Sequence, residues 1–337
     1  MNPTVSIRDE TRCFQTPIPS KSVLQAIIAF AGFLAICTAM YITFDKAWWL
    51  SLALAPLAAD FLVRIFIIQH DCGHGSYFRK RRANDALGFA CSLVTLAPYA
   101  SWRRQHAGHH RIWNDLDYRQ TGADIYSSCL TVTEYSALST SHRLWYRTTR
   151  NPLVANMLVP PFVFLGLYRF PFDSPRSWRH ERRAIYATNA ALIAIFCGLG
   201  LLLGFGEVAA VQLPITALAA IIGVWLFSVQ HRGETVQWVR HESWDGVSAS
   251  LQSATYLRLP AVLQWFTGNI GYHHVHHLNP RIPNYRLQEC HDSIPALRDT
   301  PALTLRSGFR AMQLVLWDEE SGRMATIREI RLRELRS

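Results

Sequence analysis

Four long apolar stretches constrain this sequence more than any other feature. They cover residues 23–43, 47–69, 185–205 and 208–230. Each is long enough to cross the hydrocarbon core of a bilayer as a helix, which takes about 20 residues. The mean hydropathy of +0.05, with 50% apolar and 17% charged residues, is high for a soluble chain of 337 residues. The sequence therefore predicts an all-α integral membrane protein with four transmembrane helices.

The short connections between these stretches predict how the helices pair. "FDK" joins the first two stretches and "GE" joins the last two, so we expect two helical hairpins with both turns on one side of the membrane. Of the 34 Lys and Arg residues, only Lys46 lies in a turn and only Arg64 lies within a span. Basic residues accumulate on the cytoplasmic side. We therefore expect an inner-membrane protein of a single domain, with both termini cytoplasmic and a helical cytoplasmic cap formed by residues 70–184 and 231–337.

The charge and the cysteine content narrow the class further. The net charge of +10, with 31 of the 34 basic residues being arginine, suits either nucleic acid or anionic lipid. The hydropathy pattern favours lipid, so we expect no nucleic-acid partner. The seven cysteines contain no C-x-x-C pair, which argues against a disulfide framework or a zinc-thiolate site. The N-terminus lacks the pattern of a cleavable signal, so the first span is expected to remain in the mature protein.

Several weaker features carry expectations of their own. Residues 86–100 and 153–170 are apolar but short or interrupted by proline, and we interpret them as interfacial or re-entrant segments. Asp60 and Arg64 lie one helical turn apart in the second span, so we expect them to pair or to face the protein interior. The tail 326–336 is interpreted either as a helix on anionic lipid or as a solvated helix.

The histidines are the strongest functional signal. Ten of the 14 fall in four places: "HDCGH" (70–74), "HAGHH" (106–110), "HHVHH" (273–277) and a single histidine at the end of the fourth span. Histidines at i and i+4 share one face of a helix and can bind one metal ion. The second and fourth spans end at the same boundary, where the other boxes can fold over them. The predicted ligands are His70, His74, His106, His109, His110, His231, His273, His276 and His277.

So many imidazoles exceed what one metal ion holds, because zinc sites have about four ligands and catalytic ones about three from the protein. The sequence therefore predicts a pair of ions, and imidazole alone does not choose between Zn, Cu, Fe and Ni. Neighbouring polar residues can fix a metal-bound imidazole through its far nitrogen. The candidates for that role are Asp71, Asp115, Asp117, Glu234 and His274, with solvated cap acids as the alternative reading of the carboxylates. The isolated His142, His180, His241 and His291 are interpreted as ordinary surface or core residues.

The boxes and the sequence around them resemble the three-histidine-box membrane fatty acid desaturases, and in particular the acyl-lipid desaturases of bacteria and cyanobacteria. The resemblance covers roughly residues 60–290 and includes "RIFIIQHDCGHGSYF", "RNPLV" and "LQWFTGNIGYHHVHHLNPRIPNYRL". It implies a non-haem di-iron centre held by the nine histidines, with His231 as the extra ligand before the third box. One departure stands out, because the family often has an aromatic residue where this chain has Gly233.

The resemblance also implies a reaction. O2 is the co-substrate, two electrons come from outside the chain, and a cis double bond is introduced into a fatty acyl chain esterified in a membrane glycerolipid. No haem-attachment or cysteine-cluster motif is present, so we expect a ferredoxin or a small haem protein as donor, and an acidic one would suit the basic cap. We expect no catalytic residue beyond the metal ligands and no organic cofactor.

An acyl chain must reach the metal ions from the bilayer, so we expect a narrow apolar tunnel between the cap and the spans. Five tryptophans are candidates for its wall or for interface packing: Trp102, Trp113, Trp238, Trp244 and Trp265. Two alternative functions stay open. A hydroxylase or a carotenoid ketolase or hydroxylase would use the same centre. A membrane metal transporter would place its ligands within the spans along a water path. The double-bond position, the carrier of the acyl chain and the oligomeric state do not follow from the sequence.

Overall fold

The computed structural model describes residues 3–119 and 128–336 of the chain and is mostly helical. The α-helices, in chain order, are α1 (Pro3–Glu10), α2 (Pro19–Phe44), α3 (Trp48–His74), α4 (Arg81–Thr95), α5 (Tyr99–Ile112), α6 (Val132–Ala137), α7 (Thr140–Thr149), α8 (Val159–Leu165), α9 (Arg179–Leu203), α10 (Phe205–Val229), α11 (Gly246–Ser253), α12 (Ala261–Phe266), α13 (His273–Leu278), α14 (Leu287–Ser293), α15 (Pro295–Arg298), α16 (Leu305–Ala311) and α17 (Ile327–Glu334). A π-helical segment, Val154–Leu158, leads into α8. Short 3-10 turns lie at Thr11–Phe14, Leu167–Arg169, His241–Ser243 and Asn284–Arg286.

The four predicted spans are confirmed as helices α2, α3, α9 and α10, each long and apolar enough to cross a membrane. They extend beyond the predicted limits, because the flanking polar residues continue the same helices: α3 runs on to His74, and α9 already begins at Arg179. Within the described ranges, one further pair of segments, Thr140–Thr149 and Val154–Arg169, has span-like length and composition but is bent by 52°. The second segment of this pair covers nearly all of the apolar stretch 153–170.

Helix α3 is the central element of the bundle. Its neighbours are α2, α4 and α10, and 56% of its most apolar window is buried, against 28% for α2. Helix α2 starts with Pro19 at its first position, where a missing N–H costs nothing. Gly75 follows the last residue of α3. Its φ of +70° is a conformation that glycine adopts readily, and its N–H caps the last turn of the helix. That cap makes His74 the last residue of α3.

Short strands accompany the helices, so the all-α prediction missed two small sheets. The strands are β1 (Leu130–Thr131), β2 (Tyr256–Leu257), β3 (Ala302–Leu303), β4 (Leu314–Asp318) and β5 (Arg323–Thr326). In the larger sheet, of order β1-β4-β5, β1 is parallel to β4 with Leu130 opposite Leu316, and β4 and β5 form an antiparallel pair. Strands β2 and β3 pair in parallel. Every residue of β4 is buried, so this strand has none of the alternation by which a half-exposed strand is recognised.

The C-terminal tail packs on this sheet. A capping box between Thr326 and Glu329 starts α17, and Ile330 is buried beside Tyr146 and Leu316. The inner face of the predicted tail helix is therefore covered by protein, while Leu335 on its outer face is exposed.

Arg64 in the second span faces the protein interior, as one of the two expectations had it. Its guanidinium lies 3.8 Å from the centroid of the Trp265 ring, and it donates a hydrogen bond to the Trp265 carbonyl oxygen. The alternative, an ion pair with Asp60, is not among the ion pairs of residues 3–119 and 128–336. Arg64 thereby ties α3 to α12, the helix that precedes the third histidine box.

Candidate metal centre

Four segments deliver the predicted ligands to one place. Helix α3 carries His70 and His74 in its last turns, and α5 carries the second box. His231 follows directly after α10, and α13 carries the third box. Because the boxes lie on helices, spacings of three and four residues place their imidazoles on common faces. The histidines that the sequence separates by up to two hundred positions therefore meet in one buried cluster.

Five of these imidazoles form one set, the five-histidine group: His70, His74, His106, His110 and His276. Within it, the Nε2 atoms of His70 and His276 are 3.1 Å apart, and those of His276 and His110 are 2.9 Å apart. The Nε2 atoms of His110 and His106 are separated by 3.1 Å. The Nε2 atom of His74 is buried and has no hydrogen-bond partner among residues 3–119 and 128–336.

Three other imidazoles, those of His109, His231 and His277, form a second set, and His273 contacts two of them; we call these four residues the four-histidine group. The Nε2 atom of His231 is 3.0 Å from that of His109 and 3.0 Å from that of His273. The Nε2 atom of His277 is 3.1 Å from that of His273 and 3.4 Å from that of His109. The two groups adjoin, since the rings of His110 and His277 stack with centroids 4.2 Å apart.

These separations fit metal ligation. A metal–nitrogen distance of about 2.0–2.1 Å and ligand angles between octahedral and tetrahedral give nitrogen–nitrogen distances of about 2.8–3.4 Å. Burial lowers the pKa of His106, His110, His231, His276 and His277 well below the usual range. These five imidazoles are therefore neutral, with a lone pair that a metal ion can accept. Five and four nitrogen ligands suit two ions and exceed what one ion accepts.

Asp71 is the predicted neighbour that contacts a ligand. Its Oδ1 atom lies 3.2 Å from the Nδ1 atom of His70, and its Oδ2 atom accepts hydrogen bonds from the backbone N–H (2.7 Å) and the side-chain amide (2.8 Å) of Asn284. The amide of Gln25 in turn donates to Asn284 Oδ1 at 2.7 Å. A carboxylate held in this way fixes the orientation of the His70 ring.

The other predicted neighbours lie elsewhere. Asp115 contacts His241, with Oδ2 and Nδ1 2.7 Å apart, and Asp117 accepts hydrogen bonds from Arg240 and from the backbone of His241. Glu234 is exposed, since the chain leaves the last turn of α10 before reaching it. In the described part of the chain, none of these three carboxylates contacts a histidine of either group.

His274 is buried but turns away from both groups. Its Nε2 atom lies 3.0 Å from Nδ1 of His291, because on α13 it is displaced by about 100° around the helix from His273. His291 was expected to be an ordinary residue, and it is a buried partner of His274. Burial lowers the pKa of His274 to about 3, so this imidazole is neutral.

Several further residues contact the site, and for Asn284 and Gln25 no pattern in the sequence indicated such a role. Asn284 and Gln25 support Asp71 from segments far away in the chain, and only the folded chain brings them together. Trp113 packs on His231 with ring centroids 3.8 Å apart, and Trp102 stacks on His106 at 4.6 Å. The packing at Gly233 is tight, since a Cβ there would lie 3.3 Å from Thr255 Cγ2.

A mostly apolar cavity adjoins the two groups. His70, His106, His109 and His273 are among its lining residues, α3, α8 and α10 supply most of the remaining wall, and Gln105 and Asp173 add polar groups. On α10 the wall includes small residues at helical spacing, namely Thr216, Ala219, Ala220 and Gly223, together with the larger Val224, Leu226 and Phe227. Of the five candidate tryptophans, Trp102 lines this cavity; the rings of Trp113, Trp238 and Trp265 pack against protein groups, and Trp244 donates to the Trp113 carbonyl at 2.8 Å.

The fold and the site together define a class: membrane proteins in which two adjoining groups of histidines that could hold metal ions border an apolar cavity between helices. Comparison with known proteins then identifies the family. The fatty acid desaturase family model matches residues 47–308, so the chain belongs to the fatty acid desaturase family and is an oxidoreductase that desaturates acyl chains. The resemblance that the histidine boxes carry is thereby confirmed.

Similarity to individual proteins supports the same family assignment. The chain is 40% identical to a fatty acid desaturase of Bacillus subtilis over 96% of this chain and 90% of the relative. It is 24% identical to the sn-1 acyl-lipid omega-3 desaturase (ferredoxin) of a Synechocystis species, over 68% of this chain and 63% of that one. It is 29% identical to the acyl-lipid omega-3 desaturase (cytochrome b5) of the Arabidopsis thaliana endoplasmic reticulum, over 81% and 70%.

Proposed function

We propose that this desaturase acts on acyl chains esterified in membrane glycerolipids and forms a cis double bond at a di-iron centre. The reaction removes two hydrogens from adjacent methylenes of the chain. O2, these two hydrogens, two electrons and two protons yield two molecules of water. Bound iron would supply the activation of O2 needed to oxidise an unactivated C–H bond. The acyl-lipid relatives support the substrate class.

One observation carries the proposal: nine imidazoles, divided five and four, adjoin an apolar cavity that follows the spans. Histidines of both groups, including His70, His106, His109 and His273, border that cavity, so a chain lying in it passes directly beside the metal sites. Since reach and orientation decide which atoms react, the cavity wall positions the chain and selects the carbons.

The protein side chains have definite tasks in this scheme. The nine histidines hold the ions while leaving most of the metal charge uncompensated, and Asp71 holds His70 in place. The rings of Trp102, Phe66 and Phe227 form apolar walls beside the histidines and keep bulk water away from the reacting carbons.

We also propose that both termini and the active site face the cytoplasm of an inner membrane. The supporting observations are the distribution of the basic residues and the position of the histidines. His74 ends α3 and His231 follows α10, so both lie at the same ends of these spans, on the side that carries nearly all of the Lys and Arg. Ligands at span ends also disfavour a transporter, whose sites would lie along the spans.

The test is the fatty acid profile of a host that expresses the chain. Gas chromatography with mass spectrometry distinguishes a new double bond from a hydroxyl or keto group, so it also tests the hydroxylase and ketolase alternatives. We expect the wild type to form an unsaturated product and the His273→Ala variant to form none. His180→Ala is the matched control, because His180 is exposed and outside both groups.

Iron content is the second measurement. We expect about two irons per chain in the purified wild type and a loss of iron in His273→Ala. A wild type that changes no acyl profile across several lipid donors would contradict the proposal. A protein that is active with zinc alone would contradict the iron assignment.

A further inference from the structure

A second opening reaches the histidine cluster from a different direction. It lies between the segment before α2, the end of α3 and the start of α4, and His74 forms part of its wall. Four arginines surround it: Arg12, Arg79, Arg81 and Arg281. No carboxylate lines it in the described part of the chain. We call this opening the basic crater.

The crater carries an excess of positive charge. Arg12 pairs with Asp9 at 2.9 Å and Arg81 pairs with Asp85 at 3.1 Å. Arg79 and Arg281 are exposed and form no ion pair among residues 3–119 and 128–336. Lys80 and Arg82, also exposed, follow Arg79 in the chain. Converging cations of this kind attract an anionic partner and speed its association.

The crater and the apolar cavity reach different imidazoles. His74 lines the crater, whereas His70, His106, His109 and His273 line the cavity, and the two openings share no lining residue. An acyl chain in the cavity therefore leaves the crater open. His74 belongs to the five-histidine group, so one residue that lines the crater is itself a candidate metal ligand.

We propose that the basic crater is the docking site of a small acidic one-electron carrier protein, and that its electrons enter the metal centre past His74. This inference rests on the proposed function, because desaturation requires two electrons that the chain does not hold. The carrier supplies them in two successive encounters, is itself oxidised by one electron each time, and releases the crater between encounters. The surface requires acidic groups on the carrier around its redox centre.

An anionic lipid headgroup is a different occupant, and the position of the crater disfavours it. A headgroup would gain nothing from an opening that ends on a metal-ligand imidazole. An electron carrier needs a short path to such a ligand.

The experiment measures binding directly, with a plant-type ferredoxin as the probe. The full chain is placed in lipid nanodiscs of phosphatidylcholine, and the Kd for ferredoxin is measured for the wild type and for Arg79→Glu/Arg281→Glu. Arg328→Glu/Arg331→Glu is the matched control, since it makes the same change in net charge at exposed positions on α17, remote in sequence from the crater-lining segments. Binding does not require loaded iron, so the result is independent of turnover.

We expect the crater variant to weaken ferredoxin binding about tenfold or more at low ionic strength, and the control to change it less than about twofold. The difference should disappear near 1 M salt, where the Debye length is about 3 Å. An equal effect of both variants, or no effect of the crater variant, overturns the proposal. If the crater variant instead loses bound phosphatidylglycerol while its Kd for ferredoxin is unchanged, the occupant is lipid and the proposal is wrong.

Turnover with two reductants separates this inference from the proposed function. With reduced ferredoxin, the crater variant should show a raised KM and an almost unchanged kcat. With photoreduced deazariboflavin, a small molecule that needs no docking surface, it should match the wild type. An equal loss with both reductants overturns the crater proposal, because the arginines would then act on the metal site. A wild type that is inactive with both reductants while the difference in Kd persists contradicts the proposed function alone.

Discussion

Gly223 on α10 offers the sharpest test of where the acyl chain lies. It lines the apolar cavity, and a Cβ added there would meet no heavy atom within 4 Å. It precedes His231 by eight residues, which corresponds to about 12 Å along the helix. A leucine at this position would enter the cavity without disturbing the protein wall. It would occupy space that the chain needs beyond the reacting carbons.

The magnitude follows from the buried surface. Gly223→Leu adds four carbon atoms, and if they displace four methylenes of the acyl chain, the lost burial is about 0.8 kcal/mol each, or about 3 kcal/mol in total. That amounts to about a 200-fold lower kcat/KM for chains long enough to reach the leucine. Chains too short to reach it should react at nearly the wild-type rate. Replacing a helical glycine also removes a helix penalty of about 1 kcal/mol, so the fold should not suffer.

The assay is desaturation of a series of lipids that differ only in acyl length, with products quantified by gas chromatography. Gly198→Leu is the matched control, because Gly198 lies on α9, has open space around it and does not line the cavity. We expect the control to treat all lengths as the wild type does. A uniform loss across all chain lengths in Gly223→Leu, or no loss at any length, would refute the assignment of this cavity to the acyl chain.

Three further predictions concern the metal centre and its support. Asp71→Asn should lower metal affinity or activity about 10–100-fold, because it weakens the acceptor for His70 Nδ1; metal analysis after dialysis checks this. Arg64→Met should destabilise the protein by about 1–3 kcal/mol, because it leaves the Trp265 carbonyl without its donor and removes the cation–π contact; a thermal melt in detergent that matches the wild type would contradict it. The metal-free protein should keep full stability above about pH 7 and lose it progressively below about pH 6.5, where an unfolded histidine takes up a proton that the buried His276 resists. Melting points that are level from pH 8 to pH 5 would show that this account is wrong.

Much of the fold could be predicted because the bilayer leaves few choices. A run of about 20 apolar residues must form a helix there, so the four spans appear at the predicted places and differ mainly at their ends. The ends differ because the helices extend into the polar residues that flank the apolar runs. In α9 these are the residues from Arg179 to Glu181, which form its first turn. The five short strands escaped prediction, since pairs such as β1 with β4 join segments far apart in the chain and leave no local periodicity.

The residues of the candidate site could also be predicted only in part. Spacing selected the eight histidines of the three boxes, because i, i+3 and i+4 positions share a helix face wherever the helix lies, and His231 was added from its place at the end of the fourth span. The prediction that Asp115, Asp117 and Glu234 support metal ligands was wrong, since proximity in the chain says little about which way a loop residue turns. Asp71 lies on the same helix as His70, and there proximity in the chain did coincide with contact.

The sequence by itself determined the membrane spans, the choice of imidazole as the ligand and the family to which the chain belongs, because each depends on local composition and spacing. Tertiary structure alone decided how the histidines divide into five and four. It also brought Asn284 into hydrogen-bonding contact with Asp71 and placed the Trp265 ring against the Arg64 guanidinium. The apolar cavity and the basic crater are lined by different histidines for the same reason. These features are contacts between distant segments, and only the packing of the whole chain fixes such contacts.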